Sequence, residues 1–245
     1  MNLISFYFSN YQVNTQLNSE RVKFRVIETL IHSKKSHLIE ININTIENFH
    51  LNGTAFRSIE MNAFENFINL KELNLSANRL LYISHSLFTG LNNLEYLHLS
   101  NNSISGINPG AFRNLTRLKE LNLNSCLIAS IKANIFNDLT SLQTLNLSDN
   151  RICSIELNAF QKMTNLKELF LSRNSLVSIG KVTFNGLTGL KMLDLSDNFL
   201  VTIDSDAFVF LLKLNILLLF RNPVLKELPK LLKYHKVKIP DSKKI

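Results

Sequence analysis

The chain has 245 residues, 45% of them hydrophobic and 19% charged. That balance excludes low-complexity disorder over most of the length and suits one or two compact domains or a single array of repeats. The formal charge of +8 divides as +2 over residues 1–45, zero over 46–220 and +6 over 221–245. A neutral body argues against a nucleic-acid groove, because tracking phosphates needs cations on the binding face, and leaves contact with anionic lipid to the tail alone.

In chain order, residues 1–45 read as an N-terminal tail and a divergent capping segment. They open on Met-Asn-Leu-Ile-Ser-Phe-Tyr-Phe, which has no basic region, no long apolar stretch and no small-residue cleavage site, so no secretion signal is expected there. From Ile46 the sequence falls into blocks of 24 residues. They begin at Ile46, Leu70, Leu94, Leu118, Leu142, Leu166, Leu190 and Leu214, without insertion or deletion. Residues 46–222 are thus an array of about eight repeats, and 223–245 a basic C-terminal cap or tail. The most apolar stretch, 207–220, is broken by Lys213 and Asn215 and is too short for a membrane span.

Each block reads Leu-x-x-Leu-x-Leu-x-x-Asn-x-Leu-x-x-Ile-x-x-x-x-Phe-x-x-Leu. The Leu-x-Leu alternation predicts a short half-buried strand, and stacking of blocks predicts a parallel sheet. Gly and Pro number only seven and four, so Asn is expected to serve the turns. The column Asn78, Asn102, Asn150, Asn174, Asn198 and Asn222 follows each strand, where inward amides would pair backbone groups of neighbouring coils. Cys126 replaces it once. A second column, Phe64, Phe88, Phe112, Phe136, Phe160, Phe184 and Phe208, predicts a spine on the opposite side that sets curvature by volume.

Through motifs such as Leu73-Asn74-Leu75-Ser76-Ala77-Asn78 and Ala111-Phe112-Arg113-Asn114-Leu115, residues 46–224 resemble the leucine-rich-repeat superfamily, in its 24-residue typical subclass. The resemblance implies an α/β-type solenoid: a horseshoe with a parallel concave β-sheet and a mostly irregular, Phe-spined convex side. It also implies recognition of a protein or glycan on the concave face, as in Toll-like receptor ectodomains and secreted insect immune or adhesion proteins. An extracellular or cell-surface location follows if the chain is part of a longer precursor. If it is complete as given, the expectation is a cytoplasmic scaffold or inhibitor. Extracellular members carry cysteine-rich caps, whereas this chain has two cysteines, Cys126 and Cys153, both inside the array and both expected as thiols.

The outward strand positions supply the candidate binding residues: Glu72, Tyr96, His98, Glu120, Glu168, Phe170, Met192 and Asp194. Exposed aromatics and Met point to an interface, because such residues are enriched there. His50 and His98 lie two strands apart, roughly 10 Å, which speaks against one shared zinc ion; no metal, cofactor or catalytic residue is expected. The outward positions of the last strand, Ile216, Leu218 and Phe220, are all apolar. They predict either a dimer contact or a seat for residues 224–240 folding back. The sequons at Asn52, Asn101 and Asn114 are glycosylation candidates if the chain is secreted, whereas those at Asn74 and Asn146 arise from the repeat itself.

Overall fold

In a computed structural model, the described residues are 5–7, 46–59 and 61–226. Three-residue strands recur every 24 residues: Asn48–His50, Glu72–Asn74, Tyr96–His98, Glu120–Asn122, Thr144–Asn146, Glu168–Phe170, Met192–Asp194 and Ile216–Leu218. All pair in parallel, and Ser5–Tyr7 pairs with Asn48–His50 to make a nine-stranded sheet. The register never slips. Glu72 lies opposite Tyr96, Tyr96 opposite Glu120, Glu168 opposite Met192 and Met192 opposite Ile216. The reason is the constant 24-residue step. With side chains alternating at period two, a one-residue slip would turn every core Leu into solvent.

The core lies between the sheet and the returning chain. The paired strand leucines, such as Leu73 and Leu75 or Leu145 and Leu147, are fully buried. On the far side Phe88, Phe112, Phe136, Phe160, Phe184 and Phe208 stack in sequence, with ring centroids 5.9 to 6.4 Å apart. Paired strands sit only ~4.8 Å apart. Each coil is therefore wider at its rings than at its strand, so the array bends with the sheet on the inside. This is the concave surface.

The convex side is mostly irregular and carries the stacked Phe rings, as expected. It runs through turns and short two-residue strands, and the one helical element among the described residues is the 3₁₀ turn Pro223–Lys226. A coil of 24 residues spends most of its length on strand, ladder turn and Phe turn, which leaves too few residues for a stable helix. The hydrophobic core continues two residues past 222, since Val224 is buried and its N–H donates to the Leu200 carbonyl at 2.8 Å. Upstream, Ser5–Tyr7 joins the sheet, so that part of the expected N-terminal tail is a strand. The fold-back of residues 224–240 lies almost wholly outside the described residues.

Candidate functional site on the concave sheet

The sheet's inner face carries the candidate residues at alternate strand positions, and the register gathers them into two lobes. Glu72, Tyr96, His98 and Glu120 come together on three adjoining strands. Glu168, Phe170, Met192 and Asp194 come together on two. The polar strand Thr144–Asn146 separates the lobes, and its Thr144 hydroxyl lies 3.4 Å from the Glu168 carboxylate. Tyr96 is 36% exposed, while Phe170 and Met192 are half-buried. The described strand positions on this face hold Glu72, Glu120, Glu168 and Asp194 and no Lys or Arg. The neighbouring row of lysines is partly spoken for: Lys71 pairs with Glu47 at 2.9 Å and Lys119 with Glu95 at 2.6 Å. Hydrogen bonding to the Glu95 carboxylate raises the Lys119 pKa.

His50 departs from expectation. It occupies an outward strand position, yet it is buried, with Ser5–Tyr7 running alongside its strand. Its Nε2 and that of His98 both lie 3.8 Å from one oxygen of Glu72, and His98 Nδ1 lies 3.8 Å from Glu120. The two imidazoles are thus linked through a carboxylate between them. Among the described residues, no group of three or more His, Cys, Asp or Glu is placed to hold a metal ion.

A second row on the same face, shared with His98, Phe170 and Asp194, includes three fixed amides, a feature that residue type alone did not signal. The side-chain oxygens of Asn74, Asn122 and Asn146 accept the backbone N–H two residues onward, from Ser76, Asn124 and Ser148, at 2.9 to 3.0 Å. Each amide is thereby oriented by its oxygen, and its NH₂ is the part left for a ligand. The serines beyond them serve structure: Ser100 bonds Ser76 at 3.1 Å, and Ser172 bonds Ser148 at 3.0 Å.

Behind the strands lies the asparagine ladder. Each of Asn78, Asn102, Asn150, Asn174, Asn198 and Asn222 is buried. Asn150 is representative: its NH₂ donates to the Leu123 and Leu147 carbonyls at 2.9 and 3.1 Å, and its oxygen accepts the Ile128 N–H at 3.0 Å. The residue before each ladder position, from Ala77 to Arg221, has φ between 52° and 55°. This left-handed turn swings the amide inward, and no Gly supplies it. Cys126 takes the ladder place in one coil, its sulfur 3.5 Å from the Leu99 carbonyl. Cys126 and Cys153 are both free thiols, the first buried and the second exposed.

The last strand shows a mixed face. Ile216 is 37% exposed but Leu218 is buried. No helix among the described residues is long and apolar enough to cross a membrane.

The comparisons agree with this geometry. A model of the leucine-rich repeat matches residues 68–128, 116–176 and 164–224. No curated protein sequence matches. Among solved structures, the chain is similar to TLR13 in its complex with ssRNA13, at 28% identity and TM-score 0.70, covering 74% of this chain and 26% of that one. It is similar to the Toll–Spatzle complex of Drosophila at 26% identity and TM-score 0.60, covering 73% and 27%. A leucine-rich-repeat protein of Leptospira interrogans aligns at 30% identity and TM-score 0.68, covering 80% and 49%. The chain thus spans about a quarter to a half of these structures. The repeat matches run without a break from residue 68 to 224, over more than half of the chain, and they coincide with the stacked coils described above: the chain belongs to the leucine-rich-repeat family.

Proposed function

We propose that this chain is a recognition module, with no catalytic role, that binds a protein ligand on its concave sheet as part of a receptor-ectodomain-like or secreted immune or adhesion protein. The observation that carries the proposal is the two-lobed face. Tyr96 is exposed and Phe170 and Met192 are half-buried on a continuous sheet beside carboxylates, and such side chains on a strand face are enriched at interfaces. The similarity to Toll, in a complex with Spatzle, supports the same class of role.

RNA is the second reading, because one similar structure is a complex with ssRNA13. The strand face itself favours protein over RNA. Its charged side chains are four carboxylates, which repel a phosphate backbone, and phosphate contacts supply much of nucleic-acid affinity.

The test is binding by the full chain and by a Tyr96→Ala, Phe170→Ala, Met192→Ala variant. The two are compared against secreted proteins of the source and against single-stranded RNA. A protein held by the first and lost by the second supports the proposal. Unchanged capture by the variant removes the concave face as the site, and retention of RNA alone replaces protein with RNA as the ligand.

A further inference from the structure

Resting on that reading, we infer that the ligand docked on this face is a basic segment in polyproline II conformation, with Lys or Arg at every third residue, lying along the array across the strands. The first outward row alternates in register: Glu72, Tyr96, Glu120, Thr144, Glu168, Met192. A carboxylate therefore recurs every second strand, at a spacing of about 9.6 Å for strands ~4.8 Å apart. A ligand that satisfies all three must present cations at that interval on one side.

The regular backbone conformations differ in how well they do this. Polyproline II turns once in three residues at ~3.1 Å each, so every third side chain returns to the same side after about 9.3 Å. An α-helix comes back after seven residues, about 10.5 Å. An extended strand repeats at about 6.6 Å and puts its third residue on the opposite face. From Glu72 to Glu168 the face spans about 19 Å. Six polyproline II residues cover about 18.6 Å, while fourteen helical residues overshoot at about 21 Å. The inward bend of the sheet draws side-chain tips closer together and widens the helix's mismatch.

The parallel amide row fits the same conformation. A polyproline II chain bonds none of its carbonyls internally. Asn74 and Asn122 stand beside the rows of Glu72 and Glu120, at the same two-strand interval, with amides oriented to donate. Tyr96 and Met192 lie between and beyond the carboxylates, where apolar residues of the ligand, including proline rings, would pack.

The experiment uses the full chain and synthetic peptides of equal length, each with three lysines. One places them in three successive Lys-Pro-Pro units flanked by proline; a second places them at every second position within a proline host; a third places them at every seventh position of a helical peptide. Affinity is read by fluorescence anisotropy at low ionic strength. Three exposed ion pairs of ordinary surface strength amount together to about tenfold, so the Lys-Pro-Pro repeat is expected to bind about tenfold tighter than either comparison. A Glu72→Gln, Glu120→Gln, Glu168→Gln variant, isosteric at half-exposed positions, is expected to erase that preference while keeping the circular dichroism of the native sheet.

Equal affinity at all spacings, tighter binding of the helical peptide, or no binding of any peptide overturns the inference. A preference that survives the Gln substitutions overturns it as well. None of these results bears on the aromatic variant, which judges the concave reading by itself.

Discussion

Cys126→Asn offers the sharpest test of the ladder as the device that holds coils together. In the neighbouring coils each ladder amide makes three buried bonds. For Asn102 these are NH₂ to the Leu75 carbonyl at 3.0 Å, NH₂ to the Leu99 carbonyl at 2.9 Å, and its oxygen to the Leu80 N–H at 3.0 Å. Cys126 offers one weak S–H, directed at the Leu99 carbonyl at 3.5 Å, with the Asn124 carbonyl farther off at 3.8 Å. It meets the Ile104 N–H with sulfur alone. An asparagine here would give that N–H a true oxygen acceptor and the Leu123 carbonyl a second donor, in addition to Asn150. Neutral buried hydrogen bonds are worth about 1 kcal/mol net, so replacing weak sulfur contacts with three of them stabilises by about 1–2 kcal/mol. For an array of this size the thermal midpoint rises by about 3 °C for each kcal/mol. Urea and thermal unfolding under reducing conditions measure it. A neutral or destabilising outcome would mean that this coil has closed around sulfur, and the ladder argument would fail at that position. Removing a ladder amide, as in Asn150→Leu, strands the Ile128 N–H and the Leu123 carbonyl, while the Leu147 carbonyl keeps its bond from Asn174, and is expected to cost about 2 kcal/mol or more.

Close coil contacts give a second expectation. An alanine Cβ at Gly186, where φ is +94°, would stand 2.5 Å from the Gln161 carbonyl oxygen, whereas at Gly110, also at positive φ, it would meet nothing within 4 Å. Gly186→Ala should therefore lower stability by about 2 kcal/mol or more, against about 1 kcal/mol for Gly110→Ala; equal effects in urea would refute the contact. Third, burial pushes the Cys126 thiol pKa up, so a thiol reagent should label one cysteine, Cys153, in the native protein and both in denaturant. Because the Cys126 thiol stays protonated in the fold but ionises once unfolded, its contribution to stability is complete below the ordinary thiol range and is lost as pH climbs through that range toward the raised folded value. Labelling of both residues at one rate in the native state would contradict the burial. Fourth, in a secretory host, mass spectrometry should find glycan at Asn114, exposed at φ 66°, and none at Asn74 or Asn146, whose amides are held by backbone N–H groups. Glycan at either of those two would show that their turns open readily.

Much of this architecture was legible because a strict repeat turns one local preference into many aligned copies. Leu73, Leu97, Leu121 and Leu145 occupy one column of the sequence and one buried row of the protein, since a constant 24-residue step leaves parallel stacking as the arrangement that buries every copy. The neutral array, the Asn column and the Phe column followed from residue type and spacing alone. The outward identity of Glu72, Tyr96 and Phe170 followed from period-two alternation.

Tertiary structure decided what depends on the distance between coils. Nothing local marks Ala77, Ser125 or Arg173 as left-handed residues. They adopt φ near 54° because inter-coil bonds, such as Arg173 N–H to the Ser196 carbonyl at 3.0 Å, offset the strain of about 1 kcal/mol each. The linkage of His50 and His98 through Glu72 likewise appears only when three strands are in register, as does the division of the concave face into two lobes. Sequence therefore determined which side chains face inward and outward on every coil, through periodicity. The stacked structure determined the bend, from ring spacing wider than strand spacing, and which outward side chains meet.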